Sequence, residues 1–571
     1  VEDFALMDQN GFLFELTRNK NRQAVVLISY GIGCPIVRKS LPLIGQLAKK
    51  YRDTVQFALI DPNLQDVSSR QKLIDEARAF QIHIPLLADD TQRVSKSLGI
   101  NRTGEALLIE TKTWKVIYRG PLTDRLNYGV EKTVAREAYL EKAIHSYLNG
   151  APIEQAQIPS PGCAISYESP LQVTYSKSVA PILQQKCLSC HGEGAQAPTN
   201  FWTYEDVKHW SQMIREVIRT ERMPPWESDG FHSKINSDPA LTTEQKKIIY
   251  SWIESGFPED SQNTQGPAIR EEKKSSKIRR DLSWVMAKPI EVPSQTTTPW
   301  HYEPLSLDRD KDLWISGIET EVENRASLQH LAILVMKSPL DLSQNIFEPQ
   351  FNNPKEIYNI LRISAKRAEA HDLEEPLAFR IPKGSFAYLE LHLAPTGKTE
   401  KQNVKIFIEQ YRGRQKPNEV LYSPILTRQI NIPPGKSHFT VRAFRKYPQD
   451  TYIRAVGAHM HMRGHYARLT EITKTGDRKL FYSSRYVFKN RTSYVFETPY
   501  LVQAGSRVMA EFVYDNSVGN PNGIDFTKTV GWGQDAFSDE MATFNIFQFF
   551  PTQIQNFDVN SDIPNLKQDV R

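Results

Sequence analysis

Residues 23–47, QAVVLISYGIGCPIVRKSLPLIGQL, decide how the first part of this chain folds. The run 23–30 is almost continuously apolar and rich in β-branched residues, the composition of a strand buried on both faces. The glycines of GIGCP break that run, and from Ile36 to Tyr51 the apolar residues recur at helical spacing. The pattern continues downstream. A second strand is expected at 55–60, a helix at 69–80, paired strands at 106–109 and 116–118, and a closing helix near 134–148. This predicts an α/β domain over residues 1–158, closed by the proline-rich, polar stretch PIEQAQIPSPG.

A chain of 571 residues exceeds what one hydrophobic core organises, so further domains must follow. Between 159 and 258 the spacing turns helical, in SVAPILQQKC, YEDVKHWSQMIREVIR and TTEQKKIIYSWIESG, which predicts a small all-α domain. Residues 259–283 lack apolar periodicity and carry both charge signs, as an exposed linker does. Beyond them come short β-branched and aromatic runs separated by Pro, Gly and Asn. They predict two all-β, jelly-roll-like sandwiches at 284–433 and 434–571, divided near Pro433 to Lys436. The expected fold class is therefore multidomain.

Composition narrows the partners. Lysine and arginine number 71 against 66 acidic residues, a net charge of +5 without a concentrated basic face, so no nucleic-acid partner is expected. No apolar run approaches the roughly 20 residues of a transmembrane segment. The chain opens on Val1 with no leader-like stretch, so a signal peptide is expected to have been removed and the location to be periplasmic or secreted. Four cysteines are too few for a disulfide framework.

Two of those cysteines form the string CLSCH. Cys187 and Cys190 are spaced to make thioethers to haem vinyl groups, and His191 stands beside them to ligate the iron, so covalent haem c is the expected cofactor. A zinc pair is the bland alternative, but no second Cys/His pair follows at zinc spacing. Met223, in the proline-stiffened RMPPW, is the candidate sixth ligand, with core packing as its alternative; Met213, inside an amphipathic helix, reads as core. A second metal case lies in AVGAHMHMRGH. His459 and His461 at i and i+2 share one face of a strand and can reach one ion, and Met541 in FSDEM adds a soft sulfur that suits copper.

The segments YSKSVAPILQQKCLSCHGEGAQAP, RTERMPPW and WIESGFPED resemble the small c-type cytochrome domain of bacterial fusions that also carry redoxin and copper monooxygenase-like modules. GCPIVRKSLPLIGQL, YRGPLTDR and SPGCAI resemble the thioredoxin-like redoxin half of the same fusions. The redoxin pattern is altered here: Val37 stands where a second dithiol cysteine belongs, and Gly104 stands where the family has a cis-proline. With no resolving cysteine beside Cys34, disulfide reductase activity is not expected. Cys34 and Cys163 remain open as a bonded pair, as separate thiols, or, for Cys34, as a reactive thiol at a helix start.

GAHMHMRG, AEFVYDNSVGNPN and VGWGQDAFSDEM resemble, in order, the second domain of copper type II ascorbate-dependent monooxygenases, the peptidylglycine and dopamine hydroxylase superfamily. That resemblance places His459, His461 and Met541 on the oxygen-activating copper site as catalytic residues. PWHYEPL, ENRASLQHLAILVM and AYLELHLAP resemble the electron-storing first domain, where His330 and His392 fall on two of three metal histidines and Gln329 replaces the third. His330 and His392 also read as ordinary buried polar residues of a sandwich. His301, His438 and His465 read as solvent-facing or supporting residues. The positions that hold a peptide carboxylate in amidating enzymes are Gly457, Thr543 and Asn545 here, so peptide amidation is not implied. The resemblance implies an exported haem- and copper-containing oxidoreductase, an oxygen-dependent monooxygenase served by an electron donor or redox partner, on a small-molecule or peptide substrate left open. A non-catalytic electron-transfer or copper-holding assembly protein is the alternative, favoured by the replacements at Val37, Gly104 and Gln329.

Overall fold

A computed structural model describes residues 1–192, 199, 201, 203–225, 232–236, 240–260, 278–295, 300–307, 310–324, 327–342, 354–364, 371–393, 396–488 and 493–551. Most of the expected linker 259–283, and the side chain of Gln329, lie outside the described residues.

The strand Ala24–Ser29 is the middle of a five-stranded sheet whose order is Leu86–Ala88, Val55–Asp61, Ala24–Ser29, Ala106–Glu110, Val116–Gly120. The first three strands run parallel and the last two join antiparallel. Ala24 through Ile28 are all fully buried, which is why no alternation is visible in their sequence. Ala24, Val26 and Ile28 pack with Val37, Ile44 and Leu47 of the helix Pro35–Lys50 and with Leu140 and Ile144 of the helix Tyr139–Leu148. Val25 and Leu27 pack instead against Phe4, Leu6 and Phe14 of the N-terminal hairpin, together with Val94 and Leu98. The closing helix starts at Tyr139, not near Val134, whose side chain is exposed. The hairpin and the strand Leu86–Ala88 escape a reading by periodicity because each strand has only three residues.

The next segment is helical, with Ala180–Lys186, Leu188–His191, Tyr204–His209, Ser211–Arg219 and Thr243–Glu254 gathered on a fully buried Trp252 that meets the rings of Tyr175, Tyr204 and Phe257. Two of these helices open on reciprocal caps, Thr203 with Asp206 and Thr242 with Gln245, which satisfy backbone donors that the first turn leaves unpaired. Met213 does not belong to this core. It projects from Ser211–Arg219 at 48% exposure, because the apolar stripe of that helix is carried by Ile214 and Ile218.

Two pairs of antiparallel sheets follow. The first pair is built on Leu313–Val322 and on Leu328–Met336 with Phe386–Leu393; the second is built on Thr451–His459 with Thr543–Phe549 and on Gly464–Ile472 with Arg507–Asn516. Each pair closes on an apolar core, and the core of the first also takes in Ala455 and Phe547 of the second. Before the expected division at 433 and 434, Leu421–Tyr422 and Ile425–Leu426 pair with Thr543–Phe549. The Pro-Pro-Gly signal marks a turn leading into the strand Lys436–Lys446.

The parts touch through specific contacts. Lys234 and Asn236, beyond Met223, add backbone hydrogen bonds to the edge strand Tyr494–Val502, with Asn236 N–H donating to the Val495 carbonyl at 2.8 Å and Glu497 N–H donating to the Lys234 carbonyl at 2.9 Å. At the N-terminal hairpin, Arg18 is half-buried between Glu15 at 2.7 Å and Asp515 of the second sandwich at 2.9 Å. Phe12 lies under Arg468 and edge-on to Tyr466. His465 completes this junction, with its Nε2 3.5 Å from Glu15 Oε1. Burial pushes the His465 imidazole down to about 4, and Arg18 adds to the effect. Burial raises the Glu15 carboxyl, but Arg18, His465 and Arg485 more than offset this and hold it well below the carboxylate range.

The folded junction refuses a proton on His465 until about pH 4, whereas the unfolded imidazole takes one up near 6.5, so its stabilisation is complete above 6.5 and lost as pH falls toward 4. The melting temperature should fall across that window in the full protein and fall less steeply in His465→Asn. Parallel profiles for the two proteins, measured by scanning calorimetry, would show that His465 is not the linked group.

Candidate functional site

Three clusters of chemistry-bearing side chains stand out, and the first is at the N-terminus of the helix Pro35–Lys50. Cys34 is its N-cap, with Pro35 in the first helical position. The Cys34 thiol is buried and lies 3.1 Å from the Thr103 hydroxyl. Cys163 reaches the same place from the end of the domain. Its Sγ is 3.5 Å from Cys34 Sγ, and its N–H donates to Thr103 Oγ1 at 3.0 Å. No cysteine stands at position 37, where Val37 is in the core, but of the alternatives left open for the two cysteines the fold brings them together: Cys163 supplies a sulfur beside Cys34 from elsewhere in the chain. Thr103 and Cys163 also share a backbone hydrogen bond of 3.0 Å, and Gly162 passes so close to the Thr103 carbonyl that a Cβ there would overlap it.

The second cluster surrounds His191. Its Nδ1 is 2.9 Å from the Thr199 carbonyl oxygen and 2.7 Å from the Thr199 hydroxyl, and its ring stacks on Phe201 at 4.5 Å. Donation from Nδ1 to the carbonyl fixes the tautomer that carries its lone pair on Nε2, the arrangement of a metal-ligating histidine. Burial lowers the His191 pKa and so favours the neutral ring. Cys187 and Cys190 flank the same turn, and burial, then the neighbouring Cys190, pushes the Cys187 thiol up to about 12. Met223 follows the helix Ser211–Arg219 at 41% exposure, which removes core packing as its role.

The third cluster is in the second sandwich. His459 ends the strand Thr451–His459, opposite Thr543 of the last strand, and Met541 lies two residues before that strand begins. His459 Nε2 and Met541 Sδ are 3.2 Å apart, and the His461 ring lies 5.5 Å from that of His459, nearly perpendicular to it. His461 Nδ1 is 3.1 Å from the Asp539 carbonyl, a contact that leaves the ring's lone pair on Nε2. All three side chains are buried. Two imidazoles and a thioether suit a copper ion that is Cu(I) for part of its cycle. Among the described residues no three His, Cys, Asp or Glu side chains converge as a metal site; this set differs in having sulfur of methionine as its third donor.

Glu540 organises that loop and was not visible in the sequence. Fully buried, its carboxylate accepts the His461 N–H at 2.7 Å and the Arg463 N–H at 2.6 Å. Burial pushes its pKa up to about 8, against the pull of those two amides and of Arg463. Arg463 is itself buried and donates to Asn516 and to the carbonyls of Phe537 and Asp525. The Tyr514 hydroxyl donates to the Met541 carbonyl at 2.6 Å.

In the first sandwich His330 and His392 are register partners with ring centroids 5.0 Å apart, and Trp300 stacks on His392 at 4.0 Å. The structure brings this pair together and buries it. His301 pairs with Glu303 at 3.2 Å, and His438 meets Phe12 at the N-terminal junction. Gly457 and Asn545 are also register partners, and Asn545 Oδ1 accepts the Tyr422 hydroxyl at 2.8 Å.

Residues 1–122 match the AhpC/TSA family. The N-terminal domain is thioredoxin-like. The chain is similar to the solved structure of a hypothetical protein from Sinorhizobium meliloti 1021, with 26% identity over 29% of this chain and 92% of that one and a TM-score of 0.27. An uncharacterized conserved protein from Geobacillus kaustophilus gives 26% identity over 29% and 89%, also with a TM-score of 0.27. Peroxidoxin BcpB from Mycobacterium tuberculosis gives 20% identity over 26% and 94%, with a TM-score of 0.21. None of the curated proteins matches the chain. Among the described residues no helix is long and apolar enough to cross a membrane.

Removing the Glu540 carboxylate leaves two buried amides without an acceptor, so Glu540→Ala should cost about 3 kcal/mol of stability and lower metal retention roughly 10- to 100-fold. Denaturant unfolding and metal titration measure the two effects; wild-type values in both would mean that the carboxylate does not hold the loop.

Proposed function

We propose that this chain is an exported haem- and copper-dependent oxidoreductase whose reaction is the oxygen-dependent hydroxylation of a substrate. A redox role is already carried by the thioredoxin-like domain. The observation that supports the finer reading is the convergence of His459 Nε2 and Met541 Sδ at 3.2 Å, with the His461 ring beside them. When bound, copper supplies one-electron chemistry with oxygen and haem c supplies a store of electrons in the same chain.

The chain's own residues prepare both places. His459, His461 and Met541 would hold the copper. The Asp539 carbonyl and the Glu540 carboxylate orient the His461 ring and backbone, so the ligand geometry is set before an ion arrives. Cys187 and Cys190 would carry the haem, and His191 and Met223 would be the ligands offered to its iron. The Thr199 carbonyl holds the His191 ring by Nδ1. His330 and His392 would contribute at most a weaker second site, because Gln329 stands at the third position and an amide is a poor substitute for imidazole on copper.

The purified protein should therefore hold a single tightly bound copper per chain, lost in His459→Ala and His461→Ala, while Met541→Ala should weaken Cu(I) binding more than Cu(II). Cys187→Ala or Cys190→Ala should weaken covalent haem attachment, and Met223→Ala should lower the haem potential. Copper-dependent oxygen consumption by the reduced protein supports the hydroxylase reading. Copper binding without it would favour an electron-transfer or copper-holding protein, and two tight coppers would overturn the disabled first site.

A further inference from the structure

The two cysteines outside the haem string are 129 positions apart in sequence, yet the fold brings their sulfurs within 3.5 Å. Their settings differ in a way that gives each a role. Cys34 is 5% exposed, caps the helix Pro35–Lys50 and touches the Thr103 hydroxyl. Cys163 is exposed to solvent. Thr103 Oγ1 accepts the Cys163 N–H, which leaves its own proton to be donated to Cys34 Sγ. The segment carrying Cys163 is held by backbone bonds from Thr103 to Cys163 and from Ile165 to Asn101, each 3.0 Å, and by the Tyr128 hydroxyl donating to the Gly162 carbonyl at 2.8 Å.

We propose that Cys34 and Cys163 form a thiol–disulfide couple that accepts two electrons from a dithiol, with Cys163 the sulfur attacked and Cys34 the leaving thiolate. An incoming thiolate reaches the exposed Cys163 sulfur, the Cys34–Cys163 bond breaks, and its electron pair stays on Cys34, where the Thr103 hydroxyl and the helix N-terminus stabilise it. The second thiolate of the reductant then attacks its own bonded sulfur and expels Cys163, which takes a proton from water. The dithiol becomes a disulfide, the protein disulfide becomes two thiols, and two electrons have moved. Burial pushes the Cys34 thiol up, but Thr103, the Val37 amide and Cys163 outweigh it and lower its pKa; burial and Cys34 raise that of Cys163. The lower-pKa sulfur is the better leaving group, which agrees with the order of attack set by exposure. Stabilising the reduced form also makes such a couple oxidising.

The test equilibrates the full protein with glutathione buffers of graded potential, followed by alkylation and peptide mapping. Cys34 and Cys163 should become protected together in one two-electron transition, giving a linked peptide that is absent from Cys34→Ser and Cys163→Ser. With oxidised glutathione, Cys34→Ser should trap glutathione on Cys163, whereas Cys163→Ser should react at Cys34 at least about tenfold more slowly because that sulfur is buried. Thr103→Val should shift the reduction equilibrium about tenfold toward the disulfide, or ~30 mV, and Thr103→Ser should restore it. Two thiols that stay alkylatable at the most oxidising potential would overturn the couple. Faster capture at Cys34 than at Cys163 would overturn the order of attack, and an unmoved potential in Thr103→Val would remove Thr103 as a positioning residue.

Discussion

The carboxylate of Glu540, buried with the two amides it accepts, fixes the one irregular stretch on which the second sandwich's chemistry rests. His461 and Arg463 lie in the turn between the strands Thr451–His459 and Gly464–Ile472, where the backbone leaves the sheet and its N–H groups need acceptors. Glu540 provides them and sits directly before Met541, so one residue ties both halves of the candidate copper site. The constraint extends outward. Asp515 N–H donates to the Arg463 carbonyl at 2.8 Å, and the Asp515 carboxylate holds Arg18 of the N-terminal hairpin. A run of buried polar contacts thus joins the thioredoxin-like domain to the histidine-bearing turn. Removing one partner from such a buried network leaves charge or donors unpaired, which costs more than the net worth of any one bond.

The elements legible in the sequence were those with a strong period or a strong break. The buried strand Ala24–Ser29 and the helix Pro35–Lys50 lie where the apolar pattern put them. Cross-strand pairing of long β runs was not legible, because nothing local states that residues 421–426 pair with 543–549. Met213 misled for a related reason. An apolar side chain in an amphipathic helix reads as core, yet Ile214 and Ile218 already filled that face.

Legibility of the sites followed the same division between local and distant. CLSCH and the pairing of His459 with His461 are local signals, and in both places a histidine Nδ1 faces a backbone carbonyl. Met541 was suggested by its soft sulfur and by resemblance, and that sulfur lies beside His459. What sequence could not show was support supplied by residues outside any motif: Thr199 for His191 only eight positions on, and, from far away, Glu540 for His461 and Thr103 together with Cys163 for Cys34. Each of these is a common residue type without a motif. Only its position against a partner gives it meaning.

The backbone bonds between Lys234–Asn236 and the strand Tyr494–Val502 bear on how the chain survives synthesis. That strand is the outer member of its sheet, and an outer strand presents a row of amides and carbonyls that can template pairing with another molecule. Here the template is occupied by the chain's own earlier segment. A fragment containing the second sandwich without residues 232–236 would expose a naked edge and invite aggregation, so the helical segment also acts as a guard on the solubility of a sheet made some 260 residues later.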